Sequence, residues 1–418
     1  MLEPIKNKTA AVRPLRRRTL LTAALASGLG LAAAAPAAAR ASGLGPAAAR
    51  RRAAAGYVLP APTGPAALGT VALHLRDTTR TDPWAPGHPP REIMIQIWYP
   101  ARDLRGHLLE PWLSPGAVPH FAETFGLPAD RILSTRTHGR TGAPVLPRPG
   151  GHPVLLYSPG LGGDRGTGTV LVEDLAAHGY IVVTIDHTHD ASEVEFPGGR
   201  VEVAALPPDL TDEVVDQVAA VRAADTRFVL DQLAALDAGR NPDAARRRLP
   251  DGLRGAFDLT RIGMFGHSLG GSTAAAVMHD DPRLRAGVNL DGTFVGPAAT
   301  AGSARPFLLL SSDHGPDAQD PTWTTFWSAQ RGWKRQLRLR DTVHGSFNDG
   351  VTLYPQAAPE IGLTPQQLAD MVGTLAPQRS VEIQRAYLRA FFDQHLRCRD
   401  GRLLTAPDPR YPEIDFVR

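Results

Sequence analysis

Between residues 71 and 339, short runs of aliphatic and β-branched residues alternate with longer stretches in which apolar positions recur every three or four residues. Side chains repeat every two positions on a strand and every 3.6 on a helix, so the two patterns predict different elements. Eight runs predict strands, at 71–75, 93–99, 153–157, 181–185, 262–265, 286–290, 307–311 and 335–339. Most are apolar at consecutive positions, as strands covered on both faces must be. Five stretches predict helices, at 168–178, 213–236, 268–279, 323–330 and 381–396. In the second of these, Val214, Val218, Val221, Ala224 and Phe228 form the stripe expected to face the core, widened by Val229, Leu233 and Leu236. Such alternation predicts an α/β fold with an eight-stranded, mostly parallel sheet and helices on both faces.

Two stretches fit neither pattern, 102–148 and 187–210, and both are rich in Gly and Pro. The second follows a strand at the carboxyl side of the sheet, where open α/β folds bind ligands. Both are expected to be inserted loops that shape a substrate site. Residues 42–69, rich in Pro, Ala and Gly, read as a linker, which leaves 70–418 as one domain. Residues 1–41 have a different character. Arg16-Arg17-Arg18-Thr19-Leu20-Leu21 leads into an Ala/Leu/Gly run over 20–35 and then a small-residue stretch with A-x-A cleavage options, the pattern of a secretory leader. Its paired arginines resemble a twin-arginine signal, which exports proteins already folded, so the expected location is extracellular. The run is about 16 residues long, short of the roughly 20 that span a bilayer.

The leader changes the charge picture. Its seven basic residues against Glu3 give +6, so the +3 of the whole chain becomes −3 for the remainder. No basic face then argues for a nucleic-acid partner. Cys398 is the only cysteine, which excludes an intramolecular disulfide and a multi-cysteine metal site.

Candidate chemistry centres on Gly266-His267-Ser268-Leu269-Gly270-Gly271, between a predicted strand and an Ala-rich helix. G-x-S-x-G in a strand–turn–helix setting places a strained nucleophilic serine above the sheet edge of an α/β-hydrolase fold. Serine needs a histidine base oriented by a carboxylate, and in this fold the chain order is Ser, acid, His. His344 lies in the loop after the last predicted strand, where the base belongs; His279 and His395 fall in helices and His314 comes too early. Two acids follow parallel strands, Asp291 after the sixth and Asp313 after the seventh, and spacing slightly favours Asp313. The oxyanion donors are expected to be the N–H of Leu269 and, from Ser158-Pro159-Gly160-Leu161-Gly162-Gly163, that of Leu161. The segment Asp186-His187-Thr188-His189-Asp190 has metal-ligand residue types but no convincing spacing, and reads as a hydrogen-bonded loop beside the site.

With these residues in place the chain resembles the platelet-activating factor acetylhydrolase family. The resemblance rests on Ile97-Trp98-Tyr99-Pro100, Tyr157-Ser158-Pro159-Gly160-Leu161-Gly162, Asp258-Leu259-Thr260-Arg261-Ile262 and Asn289-Leu290-Asp291-Gly292, together with the block around Ser268 and His344-Gly345-Ser346-Phe347. It implies that Asp291 is the acid, with Asp313 in reserve, and that the substrate is a phospholipid with a short sn-2 acyl chain or a related lipid ester. Serine ester hydrolysis of this kind requires no cofactor or metal, and transient contact with a lipid interface is a further possible partner interaction. Secreted enzymes with G-H-S-x-G-G also resemble general lipases and cutinases or polyester hydrolases. A reading from another class is a non-catalytic lipid-binding protein on a hydrolase fold.

Overall fold

The computed structural model describes residues 55–313 and 320–418. The expected leader, the first part of the linker (42–54) and His314 lie outside the described residues. The strands are β1 (Ala67–Thr81), β2 (Pro90–Ala101), β3 (Leu109–Pro111), β4 (Arg136–Thr141), β5 (His152–Ser158), β6 (Ile181–Ile185), β7 (Glu193–Glu195), β8 (Val201–Val203), β9 (Phe257–His267), β10 (Leu284–Leu290), β11 (Phe307–Ser311), β12 (Lys334–Leu339) and β13 (Ile414–Phe416). Eleven of them form one sheet in the order β13-β12-β11-β10-β9-β5-β6-β2-β1-β4-β3, and β7 with β8 makes a separate hairpin. The stretch β12-β11-β10-β9-β5-β6 is parallel throughout, with β2 and β13 antiparallel to its two ends.

The helices are α1 (Val118–Phe125), α2 (Ala129–Ser134), α3 (Thr169–Ala177), α4 (Asp212–Asp237), α5 (Leu269–Asp280), α6 (Gly296–Thr300), α7 (Pro321–Ala329), α8 (Gly350–Ile361), α9 (Pro365–Val372) and α10 (Pro377–Arg397). Alternate strand residues enter two separate cores. Leu155, Tyr157 and Phe265 pack against α3 and α10 through Val170, Leu175, Phe391 and Phe392. Val154, Leu156 and Met264 pack against α4 and α5 through Val229, Leu233, Leu236 and Val277. Strands with both faces buried in this way need apolar residues at every position, which is why their sequences show no alternation.

The eight expected strands are β1, β2, β5, β6 and β9–β12, and the five expected helices are α3, α4, α5, α7 and α10. Other expectations need correction. The 102–148 stretch is not a loop but carries β3, α1, α2 and β4, and β4 pairs with β1 to widen the sheet. The 187–210 stretch holds the β7–β8 hairpin. The described end of the linker is packed, with Tyr57 and Leu59 each 3% exposed and the Tyr57 N–H donating to Thr135 Oγ1. The α4 seam runs through Val215, Val218, Arg222, Asp225, Thr226 and Val229, while Val214, Val221, Ala224 and Phe228 are only half-buried. Two ionic residues take core positions there, where hydrophobic counting cannot see them.

Candidate active site

The chain runs from β5 to β6 on one side and then to β9 on the other, so the carboxyl ends of β5 and β9 flank the point where strand order reverses. That crevice is where this class of sheet binds ligands. At the end of β9 the turn into α5 is so tight that a Cβ on Gly266 would strike the Gly270 backbone, and one on Gly270 would strike Ser158. Ser268 itself holds φ 55° and ψ −127°, a conformation that L-residues rarely adopt. Its N–H donates to Leu290 O at 2.9 Å, which ties the turn to β10.

β10 delivers Asp291, also at φ 55° and 5% exposed. Its Oδ1 accepts the Ser312 N–H at 2.7 Å and its Oδ2 the Ser312 hydroxyl at 3.0 Å. Oδ2 also lies 2.8 Å from His344 Nδ1, so the imidazole carries its proton on Nδ1 and leaves Nε2 as the basic nitrogen. Asp313, which spacing slightly favoured, is elsewhere: its carboxylate accepts the Asp341 N–H at 3.2 Å and lies 3.9 Å from Arg338. His267 holds the histidine loop from below. Burial, and then the neighbouring His344, push its pKa down to about 3, so it is neutral, and its Nε2 lies 3.0 Å from the His344 carbonyl.

On the other side of Ser268 lies the β5 loop. A Cβ added to Gly160 would come within 3.2 Å of the Ser268 Cβ, a tight contact, so the loop passes close beside Ser268. The Leu161 N–H meets no acceptor among the described residues. Leu269 is the first residue of α5, and its N–H has no intrahelical acceptor. The Asp186–Asp190 segment is a buried hydrogen-bonded brace for this loop. Asp186 binds Arg165 through its N–H and guanidinium, His187 lies 3.0 Å from Ser158 Oγ, and Asp190 accepts the Gly162 N–H. Among the described residues no group of three His, Cys, Asp or Glu side chains is placed to hold a metal ion.

Sequence reasoning missed Ser312 and His267 as partners of Asp291 and His344, and Arg222 behind the β5 loop. Ser312 follows a strand like many serines and carries no signal. His267 was visible inside the nucleophile motif but had no assigned partner.

The chain matches the family described as platelet-activating factor acetylhydrolase, isoform II, over residues 56–400. It is 27% identical over 394 residues to a probable 1-alkyl-2-acetylglycerophosphocholine esterase of Arthroderma benhamiae, covering 86% of this chain and 94% of that protein. It is 21% identical to the platelet-activating factor acetylhydrolase of Gallus gallus, over 82% of this chain and 84% of that one. The solved ferulic acid esterase from Streptomyces cinnamoneus has a TM-score of 0.74 to it at 36% identity, over 87% of this chain and 100% of the other. The protein is thus an ester hydrolase of the α/β-hydrolase fold, and it belongs to the platelet-activating factor acetylhydrolase, isoform II, family.

Proposed function

We propose that the protein is an exported carboxylic-ester hydrolase that uses Ser268 as nucleophile, His344 as base and Asp291 as the residue that orients the base. The 2.8 Å contact between His344 Nδ1 and Asp291 Oδ2, beside the strained turn of Ser268, carries this reading. Ser268 Oγ attacks the ester carbonyl carbon as its proton passes to His344 Nε2. The carbonyl oxygen becomes an oxyanion facing the N–H groups of Leu161 and Leu269, each such donor contributing about 3–4 kcal/mol at the transition state. Collapse expels the alcohol, which takes the proton from His344. Water then attacks the acyl-enzyme by the same route, releasing the carboxylic acid and restoring Ser268.

Family membership favours a short sn-2 acyl chain on a phospholipid or a related lipid ester as substrate. A small apolar cluster flanks both oxyanion donors: Leu161 and Leu269 pack with Val215, Val218 and Val295, and Leu206, Leu210 and Trp84 join them. Leu206 and Leu210 come from the stretch expected to shape the substrate site. The ferulic acid esterase likeness supports a second reading, an aryl-carboxylate ester. A hydrolysis panel separates them: the acetylated ether phospholipid and p-nitrophenyl acetate or butyrate should outpace p-nitrophenyl palmitate, methyl ferulate and polyester film. Preference for methyl ferulate would replace the substrate class and leave the triad untouched. Export by the twin-arginine route is the localisation that best fits Arg16 and Arg17 and a chain with a single cysteine.

A further inference from the structure

The N–H of Leu161 belongs to an irregular loop, Ser158-Pro159-Gly160-Leu161-Gly162-Gly163, whose residues after Ser158 have no polar side chain to hold it in place. A misplacement of an oxyanion donor by about 0.5–1 Å forfeits much of its effect, and within the loop the Gly160 carbonyl is held only by the Gly163 N–H at 3.0 Å, a bond of two flexible glycines that a partner outside the loop can reinforce. Arg222 does so from the middle of α4. It is wholly buried at 0% exposure. Its Nε and Nη2 donate to Asp190 Oδ2 and Oδ1 at 2.6 and 2.7 Å, a bidentate pair that fixes the plane of the guanidinium. From that plane Nη1 donates to the Pro159 carbonyl at 2.6 Å and Nη2 to the Gly160 carbonyl at 2.9 Å.

The Gly160 carbonyl and the Leu161 N–H share one trans peptide plane and point in opposite directions. A guanidinium that captures the carbonyl therefore turns the N–H away from itself. A Cβ on Gly160 would lie 3.2 Å from the Ser268 Cβ, so this plane lies beside the nucleophile. The next peptides are held by Asp190 and by Ser192: Gly162 N–H donates to Asp190 Oδ1 at 3.2 Å, and Ser192 donates to the Gly162 carbonyl through its N–H at 2.9 Å and its hydroxyl at 2.6 Å. A charged donor on the carbonyl also polarises the amide and strengthens its N–H as a donor.

We propose that Arg222, oriented by Asp190, is the positioning residue of the oxyanion site, setting the Gly160–Leu161 peptide so that the Leu161 N–H faces the tetrahedral oxygen. The proposal rests on the assignment of Leu161 as an oxyanion donor. It is tested with Arg222→Gln, Arg222→Lys, Asp190→Asn and Leu161→Pro in the full-length protein. Active sites are counted by exhaustive fluorophosphonate titration, which removes misfolded molecules from the comparison. For Arg222→Gln, kcat per titrated site should fall roughly 10- to 100-fold, below the loss of a whole donor, with KM changed less than about threefold. The Ki of a trifluoromethyl ketone, whose adduct with Ser268 places an oxygen in the same site, should rise in proportion. Arg222→Lys should recover part of the loss, and Asp190→Asn should fall between. An unchanged kcat per site and ketone Ki in Arg222→Gln, or in Asp190→Asn where the arginine variants do not fold, would overturn the proposal. If Leu161→Pro also leaves both unchanged, the donor assignment itself fails; if it loses both while Arg222→Gln and Asp190→Asn do not, only the positioning role fails.

Discussion

At the scale of single residues, the proposal of Asp291 rather than Asp313 as the acid rests on what surrounds each carboxylate. Asp291 is buried, accepts two hydrogen bonds from Ser312 and lies 2.8 Å from His344 Nδ1, whereas Asp313 is half-exposed beside Arg338. Asp291→Asn should lower kcat on the order of 10⁴-fold by stabilising the wrong imidazole tautomer, and Asp313→Asn should change it less than about threefold. Kinetics of the two variants on p-nitrophenyl butyrate check this, and the reverse order would move the acid to Asp313. Ser268 and His344 were legible because a motif and a chain order point to them. The acid was not, because β10 and β11 are adjacent parallel strands that deliver an aspartate to the same edge of the sheet. Spacing along the chain cannot tell which carboxylate turns toward the histidine; the family resemblance could.

At the scale of elements, α4 shows what hydrophobic periodicity leaves out. Its expected stripe put Val221, Ala224 and Phe228 inward, yet the fully buried face includes Arg222 and Asp225. Asp225 binds Arg91 at 2.8 Å and lies 3.1 Å from His187, and Arg91 continues to Asp82 at 2.6 Å. Periodicity counts apolar positions, so it slides past a helix whose core face is held by ion pairs. Burial alone would raise the Asp225 carboxyl, but Arg91 and His187 more than offset it and hold it well below the usual range. A depressed carboxyl contributes stability that is present above its unfolded value, near 3.9, and is lost as pH falls through its folded value. Asp225→Ala leaves the buried Arg91 with Asp82 as its one remaining carboxylate and should cost about 3 kcal/mol at pH 7, the low end for a broken buried pair. Urea unfolding should show the gap between wild type and variant narrowing below about pH 4. A gap that is small at pH 7, or that widens in acid, would contradict the role given to this network. The insertion at 102–148 was missed for another reason: its strands are only 3 and 6 residues long and half-exposed, so they carry no apolar run.

At the scale of the molecule, the eight strands and five helices read from the sequence are those that build the mostly parallel centre of the sheet and its two cores, because burial on both faces writes itself into long apolar runs. The helices after β12 that were missed, α8 and α9, pack on the histidine loop and contain or begin with proline, which reads as a break. No helix among the described residues is long and apolar enough to cross a membrane. The sheet brings three strand ends to one edge, and Ser268, Asp291 and the Leu161 loop arrive together because β9, β10 and β5 run parallel and adjacent. The proposed chemistry requires that this edge carry a reactive serine. Incubating the purified protein with a fluorophosphonate probe and mapping the adduct by peptide mass spectrometry tests it most directly. Stoichiometric labelling on Ser268 is expected, abolished by Ser268→Ala and slowed by His344→Ala. A folded protein that labels elsewhere, or that hydrolyses esters undiminished after Ser268→Ala, would contradict it.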